Sequence, residues 1–360
     1  MTQSAMNCRH SLHCLVPPQI LERIAQNGSE TQRKWALDTL NRDHSLRMAR
    51  LQNMQNRVGG PRRADILTEA IAGAPRRTIR TAQNTENVEG PVVRGEGDPP
   101  SGDIAVNEAY DGLGATYDFF WNIFERDSID GDGLPLRAVV HFGQDYDNAF
   151  WDGQRMVFGD GDGELFLRFT KSLDVIGHEL AHGVTEDEAG LEYWGQSGAL
   201  NESMSDVFGS LVKQHKLNQR ADEADWLIGA DLLAPGVNGV ALRSMANPGT
   251  AYDDAVLGKD PQPAHMDDYV VTMSDNGGVH INSGIPNKAF HNVAIALGGY
   301  AWEKAGEIWY EALRDSRIKP RARFRTFARA TQRAAARLYG DGSVEAKAVG
   351  DGWGLVGIEL

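Results

Sequence analysis

The sequence predicts an α+β protein whose body runs from a β-rich front half into a mainly helical back half. Three observations carry this expectation. From about Thr78 to Gly163, short β-prone runs alternate with Gly, Asp and Asn turns. After His182 the long periodic segments are helical. Between the two, Leu173, Ile176, Leu180 and Val184 recur at spacings of three and four, which gives one helix with a single apolar face.

Ahead of that body lies a front segment of different character. Residues 1–80 hold 13 Lys and Arg against 6 Asp and Glu, whereas the remainder holds 23 against 44. A basic front on an acidic body predicts a segment that docks on the body; an independent basic arm is the alternative. Both cysteines of the chain, Cys8 and Cys14, fall here, so the body owes nothing to disulfides. The run from Cys8 to Cys14 also carries His10 and His13, which suits it to bind a metal or to lend a thiolate to one. A pair of reduced thiols is the plainer reading. Val16-Pro17-Pro18 predicts an extended element. Ile20, Leu21 and Ile24, then Trp35, Leu37 and Leu40, predict two short helices broken near Asn27-Gly28. Arg47 to Arg63 is polar and basic, Ile66 to Ile71 is a short helix-like patch, and Gly73 to Arg77 reads as an exposed linker.

In the front half of the body the expected strands are Pro91 to Val93, Arg137 to Phe142, Arg155 to Phe158 and Glu164 to Phe169, interrupted by one helix from about Asp103 to Phe124. Asp130-Gly131-Asp132-Gly133 and Asp160-Gly161-Asp162-Gly163 lack the ligand spacing and final Glu of an EF-hand, so they read as turns before calcium loops. In the back half, helices are expected at Gly198 to Lys213, Ile285 to Leu297, Ala301 to Arg314 and Phe324 to Tyr339, with a turn and tail from Gly350. A net charge of −14 argues against general nucleic-acid binding. No apolar run is long enough to span a bilayer, and no membrane partner is expected. Met1 to His10 has no apolar stretch of the signal-peptide kind.

The chemistry centres on His178-Glu179-Leu180-Ala181-His182. Four residues apart on a helix, both imidazoles leave the same side, where they can hold one zinc ion while Glu179 acts on a bound water. A catalytic zinc usually takes three protein ligands, so a third is required. Glu202 and Asp206, again four apart, supply one: with Glu202 on the metal, Asp206 lies a turn along, able to accept the free ring N–H of a ligand histidine. Farther on, Gly277-Gly278 makes a tight turn that returns Asp275 toward His280. A carboxylate beside an imidazole raises its pKa and fixes its tautomer, which suits a cation that stabilises an oxyanion.

Taken together, these stretches resemble the thermolysin-like zinc metallopeptidases. His178 to His182 is similar to their zinc helix. Gly190 to Tyr193 with Ser197 to Glu202 matches the stretch holding a catalytic tyrosine and the third ligand, and Asp275 to Gly284 matches the catalytic-histidine loop. Tyr146 to Trp151 resembles the substrate-binding edge strand, and Leu242 to Met245 the loop with the clamping arginine. The likeness runs from about Thr78 to the C-terminus, and the front segment resembles the short pro-segments of the protealysin-like branch.

The resemblance implies a two-lobed α+β fold with the zinc helix on the floor of a cleft. The implied division is a propeptide over 1–77, a β-rich lobe over 78–188 and a helical lobe over 189–360. It implies a zymogen of a zinc endopeptidase. His178, His182 and Glu202 would hold zinc, Glu179 would be the general base, and Tyr193 with His280, oriented by Asp275, would stabilise the oxyanion. Asn148 and the Ala149 backbone would align the peptide and Arg243 would clamp its carbonyl. Phe166, Phe169, Val175, Ile228, Leu232 and Leu242, all apolar, would line the pocket behind the scissile bond and select bulky hydrophobic residues. Cys14 or Cys8 would serve latency as a metal ligand.

Of the family's paired calcium site, Asp174 and Asp225 are present, but Lys213, Leu227 and Ala230 stand where acids are expected, so no double-calcium site is predicted; a single site elsewhere stays open. Peptide and protein substrates and the chain's own propeptide are the expected partners, and a monomer the expected form. Secretion is implied, though no signal peptide is visible. A zinc aminopeptidase and a non-catalytic metal-dependent binding protein are the competing readings.

Overall fold

The computed structural model describes residues 13–57 and 72–360. Cys8, the basic stretch beyond Arg57 and the expected patch at Ile66 to Ile71 lie outside the described residues. The front segment opens with a two-residue strand, β1 (His13–Cys14), followed by α1 (Pro18–Asn27) and α2 (Glu30–Arg57). Pro18 at the first helical position needs no N–H partner, so α1 starts there. The second helix is not short: from Glu30 to Arg57 there is neither Gly nor Pro, and the run is rich in Arg, Leu, Met and Gln.

The front lobe contributes β2 (Arg77–Thr85), β3 (Val92–Gly95), α3 (Ile104–Phe124), β4 (Leu136–Phe142), β5 (Ala149–Trp151) and β6 (Met156–Phe158). Together with β1 they form one six-stranded sheet in the order β1-β5-β6-β4-β2-β3. The front segment therefore supplies the edge strand of a sheet otherwise built by the body. The linker expected up to Arg77 ends early: Arg77 already opens β2 and its guanidinium and backbone N–H both bond Glu96. Glu164 to Phe169 forms no strand, only a bridge from Phe166 to Leu233, because Asp162 Oδ1 accepts the N–H groups of Glu164, Leu165 and Phe166 and curls the backbone.

Helix α4 (Leu173–Glu188) closes the front half, and the helical half follows with α5 (Gly195–Leu217), the small strands β7 (Leu227–Ile228), β8 (Arg243–Ser244), β9 (Asp253–Asp254) and β10 (Gly258–Lys259), then α6 (Asp275–Asn282), α7 (Gly284–Leu297), α8 (Ala305–Leu313), α9 (Phe324–Tyr339) and α10 (Val344–Gly354). The expected terminal turn at Gly350 is in fact the last part of α10, which Ser343 caps by accepting from Ala346 N–H.

The sheet packs its inner face on α3 and α4. Ile79, Ala138, Met156 and Phe158 join the main core there. Its outer face carries a smaller cluster of Cys14, Ala82, Val139, Phe142, Tyr146, Phe150 and Val157. Helices α4 and α5 approach most closely at Gly177 and Gly209. A Cβ on Gly209 would fall 2.3 Å from the Asp174 carbonyl and 2.9 Å from the His178 nitrogen, so only glycine permits the contact. That approach brings the two four-residue pairs, His178/His182 and Glu202/Asp206, face to face.

Candidate active site

Acceptor atoms of three residues converge where α4 and α5 meet. His178 Nε2 and His182 Nε2 are 3.1 Å apart, and each lies 3.5 Å from a Glu202 oxygen. All three residues are fully buried. The other ring nitrogens are already committed: His178 Nδ1 faces Asp206 Oδ1 at 2.8 Å and His182 Nδ1 faces Asn201 Oδ1 at 2.7 Å. Both partners are acceptors, so both Nδ1 atoms carry hydrogen and both Nε2 atoms present lone pairs to each other. Two lone pairs and a carboxylate in one buried volume repel unless a cation lies between them. Tetrahedral zinc with donors at about 2.0–2.1 Å places those donors roughly 3.3 Å apart. The spacings here fit such an ion, and these residues could hold one.

Asp206 is the hub behind the group. It accepts from His178, from Arg243 Nε and Nη2 at 2.9 and 2.8 Å, and from Asn287 Nδ2 at 2.8 Å. Burial pushes the Asp206 carboxyl up, but the Arg243 charge and the hydrogen bond from His178 outweigh it and hold its pKa well below the ordinary value. Arg243 is thus anchored by Asp206.

On the opposite wall, Tyr193 Oη donates to Glu202 Oε1 and lies 3.2 Å from His280 Nε2. His280 Nδ1 sits 2.5 Å from Asp275 Oδ1, and Asp275 Oδ2 accepts the His280 backbone N–H. The turn that allows this runs through Asn276, Gly277 and Gly278, all at positive φ. Burial alone would lower the His280 pKa; the Glu202 and Asp275 carboxylates outweigh it and raise it. Glu179 is fully buried, and its Oε2 accepts from the Trp151 backbone N–H at 3.0 Å.

The cleft edge is β5, and β1 lies on it. His13 pairs with Trp151 and Cys14 with Phe150 in antiparallel register. The Cys14 carbonyl oxygen is 3.1 Å from His280 Nε2. Leu15 N–H donates to the Ala149 carbonyl at 3.2 Å, Val16 N–H to Asn148 Oδ1 at 2.9 Å, and Arg243 Nη1 to the Leu15 carbonyl at 3.3 Å. Leu15 is fully buried in the core cluster that also contains Phe166, Phe169, Val175, Ile228, Leu232 and Leu242.

The Cys14 side chain goes elsewhere. Paired with Phe150, it packs with Tyr146 and Phe150 on the outer face of the sheet, the face away from Trp151 and Glu179. Cys14 thus reaches the site through its carbonyl, and the expected thiolate ligand is not what its side chain provides. Helix α2 locks the arrangement from behind: Asp43 accepts from the Tyr146 hydroxyl and from Asn148 Nδ2 at 2.9 Å.

Sequence reasoning found the three acceptors, Glu179, Tyr193, His280, Asp275, Asp206, Asn148, Ala149 and Arg243, and the fold gathers them around one cleft. It missed Asn201, Asn287 and Asp43. Asn201 precedes Glu202 directly and was legible as a polar group on the same buried helix; Asp43 and Asn287 carried no local signal, since tertiary packing alone brings them in.

A helix-borne His-Glu-x-x-His group, a carboxylate from the next helix and a peptide laid along an adjacent edge strand define a metallopeptidase. The chain belongs to the thermolysin metallopeptidase family: the family's catalytic-domain model matches residues 30–186 and its alpha-helical-domain model residues 189–358. Membership implies zinc. The extracellular metalloprotease of Pectobacterium carotovorum subsp. carotovorum is 54% identical over 346 residues, covering 96% of each chain. Protease PrtS of Photorhabdus sp. (strain Az29) is 51% identical over 348 residues, covering 96% of this chain and 92% of its own. The solved precursor of protealysin, a metalloproteinase from Serratia proteamaculans, is 54% identical with a TM-score of 0.87, covering 96% of this chain and 99% of that one.

Proposed function

We propose that this chain is the latent form of a zinc endopeptidase that cleaves on the N-terminal side of bulky hydrophobic residues. The observation that carries the reading is the backbone of residues 14–16, laid along β5 as a substrate peptide would be. In that reading the Cys14–Leu15 bond marks the scissile position, Leu15 fills the pocket that selects the residue after it, and Val16 follows toward Asn148. The all-apolar composition of the surrounding core supports a hydrophobic preference.

His178, His182 and Glu202 would hold the zinc, with Asp206 and Asn201 fixing both imidazole tautomers. When bound, the metal lowers the pKa of a water and polarises the substrate carbonyl. Glu179, held by the Trp151 N–H, accepts the proton of the attacking water and passes it to the leaving amine. Tyr193 and His280 donate to the carbonyl oxygen as its negative charge develops; Asp275 on the far side of the ring favours the protonated imidazole. Arg243 bonds the carbonyl of the residue after the scissile bond, as it bonds Leu15 here. Residues 1–77, a basic segment, would act as the inhibitory propeptide, and the lobes would divide near residue 188.

The test is hydrolysis of an internally quenched peptide with a central Gly-Leu or Ala-Phe bond by the processed chain. Glu179→Ala should lower kcat about 10²–10⁴-fold with zinc still bound. Chelation should abolish activity and added zinc restore it. Cleavage directed by an acidic or basic residue after the bond would overturn the pocket assignment. In the unprocessed chain, Leu15→Asp should release activity while Cys14→Ser leaves latency unchanged. Latency lost with Cys14→Ser and kept with Leu15→Asp would reverse the roles of thiol and peptide.

A further inference from the structure

One stretch of the helical half runs against the charge of the whole chain. Residues 314–337 hold 9 Lys and Arg against one acid, Asp315, in a protein whose net charge is −14. They span the loop after α8 and most of α9. Acids answer only part of this charge. Asp315 takes Arg317 at 2.8 Å and Arg333 at 2.9 Å. Glu311 takes Arg314 at 3.0 Å and also Arg337, and Glu192 takes Arg321 at 2.6 Å. The side chains of Arg323, Arg325 and Arg329 make no hydrogen bond or ion pair among the described residues, and Lys319 Nζ donates to the neutral Ser316 carbonyl at 3.0 Å. All four are exposed.

The arrangement works against the local stability of α9. The helix buries Phe324, Phe327, Ala328, Thr331 and Ala335. Arg325, Arg329, Arg333 and Arg337 follow one another at four-residue spacing on its outer side. Like charges at that spacing repel, and the helix contains no acid to relieve them. Its first turn lies at the positive end of the helix dipole, where Asp or Glu is favoured; Arg323 stands at the cap and Arg325 follows within the turn. Two local rules are broken on one exposed surface with no gain to the fold in return, which marks a surface whose residues serve a partner. The stripe also borders the cleft. The Pro320 carbonyl accepts the Glu192 backbone N–H at 2.7 Å, and Gln196 Oε1 accepts the Phe324 N–H at 3.0 Å. Glu192 directly precedes Tyr193, whose hydroxyl lies 3.2 Å from His280 Nε2.

Resting on the peptidase reading, we propose that Lys319, Arg323, Arg325 and Arg329 form an exosite that holds an acidic stretch of a polypeptide substrate while another part of the same polypeptide occupies the cleft. Guanidinium forks match carboxylates in pairs of parallel hydrogen bonds, and donors on long side chains spread along a helix suit an extended partner. A short acidic segment covers the stripe alone, whereas a long polyanion such as nucleic acid would also meet the acidic remainder of the protein. Capture at the exosite raises the local concentration of the bond to be cut, so it lowers KM and leaves the chemical step as it is.

The test has a binding arm and a kinetic arm. Labelled octaglutamate is titrated by fluorescence anisotropy onto the full-length Glu179→Ala chain at low ionic strength, which reads the surface whether or not a peptide is cut. Saturable binding is expected, weakened about tenfold in the triple variant Arg323→Gln, Arg325→Gln, Arg329→Gln and lost in about 0.5 M salt. For kinetics, the processed protein is given internally quenched peptides sharing a central Ala-Phe bond, untailed or carrying a spacer and eight Glu at one end or the other. One of the tails should lower KM about five- to tenfold with kcat unchanged. The triple variant should lose that gain and cut the untailed peptide as wild type does. Failure to cut any peptide, with octaglutamate still bound, would count against the peptidase reading and not against the basic surface. Absence of saturable octaglutamate binding, equal KM for all the peptides, or a gain that survives the triple substitution would overturn the exosite. Tighter binding of a single-stranded DNA of equal charge would overturn it in favour of nucleic acid.

Discussion

Two buried clusters of charge hang on the same pair of helices and are completed differently. At the crossing of α4 and α5, His178, His182 and Glu202 turn acceptor atoms toward one another, with Tyr193 donating to Glu202 from one side. At the start of α4, Asp174 meets the end of α5, and there the chain supplies its own cation. Lys213 Nζ lies 2.7 Å from Asp174 Oδ2, 3.0 Å from Asp225 Oδ1 and 2.8 Å from the Leu227 carbonyl. Burial lowers the Lys213 pKa, but the two carboxylates outweigh it and hold the ammonium charged. The first cluster has the spacing that fits a metal ion; the second holds a lysine of the chain in that place.

The substitution that breaks this comparison most sharply is Lys213→Ala. It leaves Asp174, 1% exposed, without its counter-charge, and should destabilise the fold by about 3–5 kcal/mol by denaturant titration. Asp225 is half exposed and accounts for little of that loss. Millimolar calcium should change the Tm of wild type and of Asp174→Asn alike. A calcium-dependent rise abolished by Asp174→Asn would make both clusters metal sites and erase the difference.

On the other side of the comparison, Asp206→Asn weakens the hold on His178 and on Arg243. Zinc affinity should fall about 10–100-fold in competition with a chelator. Unchanged affinity would mean that the α4–α5 crossing alone positions the imidazoles.

A third cluster sharpens the contrast at smaller cost. His141 bridges Asp160 and Asp103, its Nδ1 and Nε2 each 2.8 Å from a carboxylate. Hydrogen bonding to Asp160 leads in raising its pKa to about 9, burial opposes, and Asp103 adds to the rise. A group raised on folding stabilises fully below its unfolded value near 6.5 and loses that contribution as pH climbs through about 9. With the carboxylates more than a third exposed, screening reduces the effect to about 1 kcal/mol. Thermal melts of His141→Gln should therefore converge on wild type above pH 9 and lie below it at pH 6. A constant gap across that range would remove His141 protonation as the cause.

Much of this was legible in the chain. Four-residue spacing placed two imidazoles on one face and two carboxylates on another, and the alternation of Arg137 to Phe142 and the periodicity of Phe324 to Tyr339 located a strand and a helix. Local pattern misled where a neighbour decided the outcome. Glu164 to Phe169 has a strand's composition, yet Asp162 takes its N–H groups. Cys14, rich in metal-binding chemistry, is turned away by its register against Phe150.

The sequence by itself determined the periodicities, the ligand spacing and the presence of a lysine among expected acids, because helices and strands repeat at fixed intervals and side-chain charge is intrinsic. Only the tertiary structure decided which groups share a buried volume. Gly177 against Gly209 sets the distance between α4 and α5, and the pairing of β1 with β5 puts a carbonyl rather than a thiol at His280. Contacts between residues far apart in the chain depend on packing and register, and no local repeat records either.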